Sequence, residues 1–273
     1  MSVGRVSLVV AWVLSGTLTA RADIAAPDPL PVRLAGADAA LVGTVTEFEK
    51  KTVTTTRVPT DKQAVEFQVM VVKVQDNLRG LKGETHVRVG FIPTSGKRLN
   101  EIPTPTVNSR AVFFLKKHHQ EDFYVAQPYW DIIIENKQGG FEQQVKSLKD
   151  MSKILENPEK GLESKNAEER FTAAALLVIA NRGGLRGAPR VGKEEPIDAK
   201  QSKLILLALR DADWNKPFTS LQVTAPYLFA RLNLTKADGW NPPPFKSQAE
   251  YVAAAKKWLG ANADTYRIKR VAR

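Results

Sequence analysis

The sequence predicts a multi-domain α+β protein in which a five-stranded antiparallel β-barrel is followed by an all-α helical bundle. Three observations predict this class. Short alternating segments fill residues 39–129, segments of helical period fill residues 141–263, and the net charge divides the chain between the same two parts. The 273 residues are enough for two ordinary domains, and 43% hydrophobic with 25% charged residues are globular values.

The first 22 residues predict a cleaved signal peptide. A short basic start ends at Arg5, and the apolar run VSLVVAWVL that follows is too short to span a bilayer. Residues 20–22 match the A-x-A cleavage pattern, so we expect cleavage after Ala22 and a secreted or periplasmic protein. A buried N-terminal helix or strand is the alternative. Residues 23–37 contain three prolines and are expected to form an extended leader.

Five strands are expected from alternation of apolar and polar residues, at residues 39–49, 64–74, 85–91, 109–117 and 122–129. Such short strands favour a small Greek-key barrel of the OB kind. The proline-containing loop 92–108 is long enough for a functional role. With a helix over residues 141–155, the barrel domain is expected to span residues 38–156.

The second domain is expected to be helical over residues 166–273, after a linker at residues 157–165. Apolar residues recur at helical spacing in four segments, at residues 167–182, 198–214, 220–234 and 247–263. Asn166 and Asp198 are expected to cap the first two helices. The segments lack the fixed period of a solenoid.

Charge is uneven along the chain, which carries +11 in total. Residues 23–159 contain 18 basic and 18 acidic side chains, whereas residues 160–273 contain 20 basic and 11 acidic ones and are therefore strongly basic. The chain has no cysteine, which excludes disulfides, thiolate zinc sites and cysteine nucleophiles. The difference in net charge between residues 23–159 and residues 160–273 favours two domains with different roles.

The strand half resembles the OB-fold of the tissue inhibitors of metalloproteinases and the related netrin module. The resemblance rests on residues 36–49, on VVKVQDNLRGLKGETHVRVGF (71–91) and on SRAVFFLKK (109–117). The helical half, with LALRDADW and RLNLTKADGWNPP, looks like a region that accompanies such barrels in bacterial secreted proteins of unknown function. Those inhibitors chelate the protease zinc through an N-terminal cysteine, whereas Asp23 would begin the mature chain here. The resemblance therefore implies a fold and carries over no functional residue.

The segment KKHHQED at residues 116–122 is the strongest candidate for a chemical site. His118, His119, Glu121 and Asp122 are residue types that bind metals or transfer protons. If the histidines continue the strand, however, they point to opposite faces, and in a turn they are solvated beside two lysines that repel a cation. His86 is distant in sequence. We therefore interpret the segment as a hairpin tip and expect no metal.

Three further features bear on function. Asp211, Asp213 and Asp238 are candidate carboxylates for hydrolysis, although aspartates are common at helix ends and in loops. No G-x-S-x-G, H-E-x-x-H or phosphate-loop pattern occurs. The C-terminal cations are a candidate anion-binding surface, and they are Lys256, Lys257, Arg267, Lys269, Arg270 and Arg273.

The sequence thus favours an exported, non-enzymatic binding protein without a cofactor. Its partner would be an anionic polysaccharide, a membrane surface or another extracytoplasmic protein, and export argues against nucleic acid. An extracellular hydrolase is the first alternative. A protease inhibitor is the second, and the missing cysteine argues against it. The loop at residues 92–108 and the basic C-terminal region are the expected contact surfaces.

Overall fold

The computed structural model describes residues 27–93, 103–136, 139–182, 193–216, 223–243 and 247–271. Within these residues the chain forms a seven-stranded sheet, a two-stranded sheet and eight α-helices. The predicted α+β class is confirmed. The expected signal peptide and its cleavage site lie outside the described residues.

Strands predominate in the first part of the chain and helices in the second, but α1 precedes the strands and α2 lies between β6 and β7. The strands are β1 (Ala39–Phe48), β2 (Val53–Thr56), β3 (Ala64–Arg79), β4 (His86–Phe91), β5 (Arg110–Lys117), β6 (Tyr124–Val125), β7 (Ile132–Ile134), β8 (Glu194–Pro196) and β9 (Lys269–Val271). The helices are α1 (Leu30–Gly36), α2 (Pro128–Asp131), α3 (Phe141–Glu156), α4 (Pro158–Leu162), α5 (Ala167–Arg182), α6 (Ala199–Asp211), α7 (Ala225–Arg231) and α8 (Gln248–Asn262).

The pairings of the large sheet run from β1 through β3, β4, β6 and β5 and return to β1. The β4–β6 pair is parallel, and the other pairs in this series are antiparallel. β2 extends the sheet beside β3, and β7 pairs with β5. β1 therefore has hydrogen-bonded neighbours on both sides.

Alternation along β1 buries its two faces in different places. Leu41 packs with Val72 and Phe113 in the apolar core enclosed by the strands. Val42, on the opposite face, packs with Phe114 in a second cluster that includes residues of α1 and α3. The predicted period of two is thus present, and helices cover the outer face.

Residues 23–37 were expected to be extended, and this prediction was wrong for residues 30–36. Leu30–Gly36 forms α1, and Pro31 lies in its first turn. Proline is tolerated there because the first turn of a helix has no partner for its N–H groups. Every residue of α1 is buried, so tertiary packing stabilises a helix that is too short to be stable alone.

α1 belongs to two apolar clusters at once. Leu30 and Leu34 pack in the cluster between the sheet and α3. Val32 and Ala35 pack in the large cluster formed by the later helices. α1 therefore joins the strand half to the helical half, and the predicted order of strands first and helices afterwards was wrong. α2, which lies between β6 and β7, departs from that order as well.

The helical half packs around Phe229 of α7. The ring centroid of Phe229 lies 4.9 Å from that of Trp240, 5.7 Å from that of Trp214 and 6.1 Å from that of Trp258. Aromatic contacts of this geometry add to the free energy of simple apolar burial. The tryptophans that follow the candidate aspartates are therefore core residues.

Helix ends agree with their capping signals. Asn166 accepts hydrogen bonds from the N–H groups of Glu168 and Glu169, and Asp198 accepts one from Gln201. Within the expected linker at residues 157–165, Pro158–Leu162 forms α4 and Leu162 is buried in the helical cluster. The predicted division into domains at these residues stays a prediction.

β3 continues to Arg79, beyond the strand expected at residues 64–74, and short elements account for most of the other differences. Sequence reasoning missed β2, β7 and the β8–β9 pair, each of which has four residues or fewer. The expected strand at residues 122–129 has two residues in β6 and then turns into α2. The expected helix at 220–234 begins at Ala225 with Thr224 as its cap, so Pro226 lies in its first turn and causes no kink.

Candidate functional site

The segment at residues 118–123 connects β5 to β6 as a hairpin. Lys116 pairs with Val125 and Lys117 with Tyr124, and the N–H of His118 donates to the carbonyl oxygen of Phe123 at 3.0 Å. The hairpin interpretation is therefore confirmed. His118 itself is buried, with 5% of its surface exposed, so the expectation that both histidines are solvated was wrong for this residue.

Both ring nitrogens of His118 are engaged within the protein. Its Nε2 lies 2.9 Å from the carbonyl oxygen of Thr56 and donates to it, because a carbonyl oxygen can only accept. Its Nδ1 therefore accepts, and it does so from the N–H groups of Gln120 at 3.1 Å and Glu121 at 3.0 Å. His118 thus organises the loop and has no free nitrogen for a metal.

His119 stacks on His118 instead of pointing to the opposite face. The ring centroids are 4.4 Å apart and the rings are inclined by 29°. The chain has left β5 at Lys117, so strand alternation no longer governs these side chains. The part of the chain that the structure describes contains no group of three or more His, Cys, Asp or Glu suited to a metal ion.

Three hydrogen bonds hold the β5–β6 loop against β2. They join Thr55 Oγ1 to Gln120 Oε1 at 3.2 Å, Thr56 Oγ1 to His119 Nε2 at 3.0 Å, and the Thr56 carbonyl to His118 Nε2. The partners are more than 60 residues apart in the sequence. The hairpin of β2 and β3 is therefore fixed relative to the loop.

Arg88 of β4 also holds the β5–β6 loop in place. Its guanidinium binds Glu49 through two hydrogen bonds of 2.6 and 2.9 Å and donates to the carbonyl oxygen of Asp122 at 3.0 Å. The hydrogen bonds from Arg88 hold the pKa of Glu49 below its ordinary value, although partial burial acts in the opposite direction. The end of β1 and the β5–β6 loop are thus tied to one side chain.

A cavity of about 390 Å³ opens between the β2–β3 turn and the β5–β6 loop, and we call it the loop cleft. Its lining residues are Arg57, Val58, Pro59, Phe67, Lys116, Lys117, His118, His119, Val125, Gln127 and Asp131. Phe67 is fully buried, whereas Val58 is 45% exposed at the mouth. The cleft therefore combines apolar walls with a polar rim.

Charges at the rim differ in how far they are engaged. Lys116 pairs with Asp38 at 3.1 Å, and Arg57 pairs with Asp61 at 3.0 Å in an exposed ion pair. The side chain of Lys117 is exposed and forms no ion pair within the described residues. Lys117 is therefore the cation most available to a ligand.

The five C-terminal cations that the structure describes do not form one free basic face. Lys269 pairs with Asp238 at 3.2 Å, Arg270 pairs with Glu195 at 3.4 Å, and Lys256 donates to the carbonyl oxygen of Ala212. Lys257 and Arg267 are exposed, and Arg273 lies outside the described residues. Pairing of β9 with β8 brings acidic side chains to the cations of the expected tail.

The three candidate aspartates have separate local partners. Asp211 pairs with Arg210 at 2.7 Å, and Asp213 accepts from the N–H of Asn215 at 2.9 Å. Burial disfavours the charge of Asp238, but hydrogen bonds from Thr235 and Lys269 outweigh this and lower its pKa. Each carboxylate is thus explained by a helix end or an ion pair.

A larger and shallower groove of about 1240 Å³ runs along α3, α4 and the start of α5. Its acidic side chains bind cations of the same chain: Glu163 pairs with Lys200 at 2.6 Å and Glu168 with Lys216 at 2.7 Å. These groups are exposed, as is usual for a solvated surface. Its size alone therefore does not make it a binding site.

Sequence reasoning singled out the histidines but missed the other wall of the loop cleft. The β-branched residues of β2, followed by Val58-Pro59 in a polar stretch, were the available signal for a hairpin there. Of the expected contact loop, residues 94–102 lie outside the described residues, and Val107 at its end is 46% exposed. Asp23 also lies outside them.

Comparison with protein-family models and with curated proteins identified no relative of this chain. No protein-family model matches the chain, and no curated protein matches it significantly. Among the residues that the structure describes, no helix has the length and apolar character needed to cross a membrane. The function is therefore inferred from the loop cleft and the residues around it.

Proposed function

We propose that this chain is a non-enzymatic binding protein that acts outside the cytoplasm and holds its ligand in the loop cleft. The cleft carries the proposal, since it is an open cavity of about 390 Å³ in which Val58, Pro59, Phe67 and Val125 provide apolar surface beside polar and charged side chains. Sites for ligands are typically concave, mostly apolar and roughly 300–1,000 Å³ in volume. The walls are held in place by the hydrogen bonds of His118 and Arg88.

We propose further that the strands form a small barrel of the OB kind. The return of the pairings to β1 and the parallel pairing of β4 with β6 support this. Such barrels bind ligands with the loop between their first two strands and the loop between their last two. In this chain those connections contain the β2 hairpin and the β5–β6 loop, which are the two walls of the cleft.

A relation to the metalloproteinase inhibitors and netrin modules stays a proposal about the fold alone. Export is likewise proposed, from the basic start and apolar run of the first 22 residues. Inhibition through an N-terminal cysteine is not proposed, because the chain contains no cysteine. The ligand-binding proposal does not depend on either relation.

The alternatives have less support. A hydrolase would need convergent carboxylates, whereas Asp211, Asp213 and Asp238 each have their own local partner. An anion-binding C-terminal surface would depend on Lys257 and Arg267, since the other described cations of that group are engaged. A cavity of about 440 Å³ does lie beside Asp238, Arg267 and Lys269, but its lining is more polar than that of the loop cleft.

A photo-crosslinking experiment tests the binding surface. The full chain carries p-benzoylphenylalanine at position 58 or, as a matched variant, at position 107, because Val58 and Val107 are equally exposed. After irradiation in the exporting cell, we expect crosslinked products from position 58 that disappear when Lys117→Glu is added. Products from position 107 alone would overturn the cleft and favour the loop at residues 92–108.

A further inference from the structure

We propose that the loop cleft binds a peptide segment of a protein partner, in which an apolar side chain stands beside a carboxylate. This inference rests on the proposed function and names the class of ligand. It follows from three features of the cleft: its apolar walls, its surplus of hydrogen-bond donors, and its open side.

The apolar walls call for an apolar group on the ligand. Phe67 and Val125 line the interior, and Val58 with Pro59 forms the outer wall. Among the described residues, Val58 and Val107 are the large apolar side chains with the greatest exposure. Covering an exposed aliphatic side chain with another apolar group is favourable, at ~25 cal/mol per Å² buried. A purely polar ligand, such as a polyuronate, would leave the apolar walls without an apolar contact.

The polar groups at the rim have donors to spare and few free acceptors. Asp38 accepts from Lys116 Nζ with one oxygen and from the N–H of Lys117 with the other. Asp131 accepts from the N–H of Gln127 at 2.9 Å. The carboxylates near the rim are therefore engaged within the protein.

The cations at the rim retain donor capacity. The ammonium group of Lys117 has three donors and no ion pair within the described residues. Arg57 uses its Nε for Asp61, and this exposed pair is of a kind that contributes little to stability. A ligand must therefore supply acceptors, and a carboxylate forms the strongest hydrogen bonds with these donors.

The open side of the cleft favours a chain over an enclosed small molecule. Val58 and Arg57 at the mouth are largely exposed, so a polymer can enter and leave the cavity. A volume of about 390 Å³ accommodates one large side chain with its neighbouring groups. A peptide segment meets both conditions.

Methyl NMR of the purified full chain tests this inference, with the methyl groups of Val58 and Val125 as reporters and that of Val107 as an internal control. The main probe is a blocked five-residue peptide with a central phenylalanine between two glutamates. One control peptide replaces both glutamates with glutamine, and a second replaces phenylalanine with alanine. Polygalacturonate is the fourth probe.

The main peptide is expected to shift the Val58 and Val125 signals saturably and to leave Val107 unchanged. The alanine peptide is expected to bind about tenfold more weakly or worse, because it loses the burial of a large apolar side chain. The glutamine peptide is expected to bind roughly two- to fivefold more weakly, because an ion pair with the exposed Lys117 contributes only modestly. In the Lys117→Gln variant, the glutamate and glutamine peptides are expected to bind with equal affinity. The matched variant Lys73→Gln, an exposed lysine on β3, is expected to retain the preference for the glutamate peptide.

Three results overturn the inference and are distinguishable from failure of the cleft itself. If polygalacturonate shifts Val58 and Val125 but the peptide does not, the ligand class is wrong and the cleft stands. If the glutamine peptide binds as tightly as the glutamate peptide, the proposal that the ligand carries a carboxylate is wrong. If probes shift other signals and never these two, both the ligand class and the binding site are wrong.

Discussion

The ring of His118 and the backbone carbonyl of Thr56 form a 2.9 Å hydrogen bond across 62 positions of the chain. The same ring accepts two N–H groups of its own loop through Nδ1. One buried side chain thus shapes the β5–β6 loop and fastens the β2 hairpin to it. The loop cleft exists because these two segments are held together.

Replacing His118 with phenylalanine is expected to destabilise the protein by about 2–3 kcal/mol, because one carbonyl and two N–H groups lose their partner. Chemical denaturation of both proteins measures this difference. His119→Phe is the matched control. His119 is exposed and makes a single side-chain hydrogen bond, so we expect a loss below about 1 kcal/mol. Equal losses in the two variants would contradict a structural role specific to His118.

Gly90→Ala is expected to lower the free energy of unfolding by about 1–3 kcal/mol. A Cβ at this position would lie 2.5 Å from Cε2 of Phe123 and push the ring aside. Phe123 packs against Phe67 and His118, so NMR signals of the loop cleft should shift as well. In α8, Gly260→Ala is the control. Its Cβ would meet only the flexible side chain of Arg210 at 3.4 Å, and helical alanine is preferred by about 0.5–1 kcal/mol. A Gly90→Ala protein as stable as the parent would disprove the close contact.

The Glu49–Arg88 ion pair is expected to make stability depend on pH. The hydrogen bonds from Arg88 lower the folded-state pKa of Glu49 below its ordinary value of 4.5. Its contribution is therefore complete above that pH and is lost as the pH falls through the folded-state value. Because the pair is partly exposed, we expect Glu49→Gln to cost only about 0.5–1 kcal/mol at pH 7.

Urea denaturation of the parent and Glu49→Gln from pH 7 to pH 3 tests this dependence. The difference in unfolding free energy should shrink towards zero at the acidic end, where the protonated glutamic acid resembles glutamine. Glu47→Gln, at an exposed position near the end of β1 and without an ion pair among the described residues, should show a small difference at every pH. A difference that stays constant for Glu49→Gln would rule out the ion pair as its source.

Leu34→Ala in α1 is expected to weaken both halves of the molecule, by about 2–5 kcal/mol in global stability. Leu34 is fully buried against the sheet and α3, while its neighbours Val32 and Ala35 pack in the helical cluster. Native-state hydrogen exchange should therefore accelerate in β1 and in α5 together. Val53→Ala in β2 is the local control and should leave α5 unchanged. Acceleration confined to β1 would mean that α1 does not couple the two halves.

Local sequence patterns determined the long elements of this protein. Period-two alternation located β1, β4 and β5, and helical spacing located α3 and α5, within one or two residues. Alternation also located the start of β3, which continues to Arg79 past the expected end at residue 74. These segments carry enough periodic apolar residues for the pattern to be read without knowing the partner. The hairpin at residues 118–123 followed from the two strands that flank it.

Tertiary structure alone decided the short elements and the site. α1 and α4 are too short to be stable in isolation, and burial against distant residues supplies what their own sequence lacks. The loop cleft depends on contacts such as His118 with Thr56, and no local pattern records which of two loops 62 residues apart will meet. The sequence therefore determined where chemistry-bearing residues lie along the chain, and contacts between distant strands and loops decided which of them share a cavity.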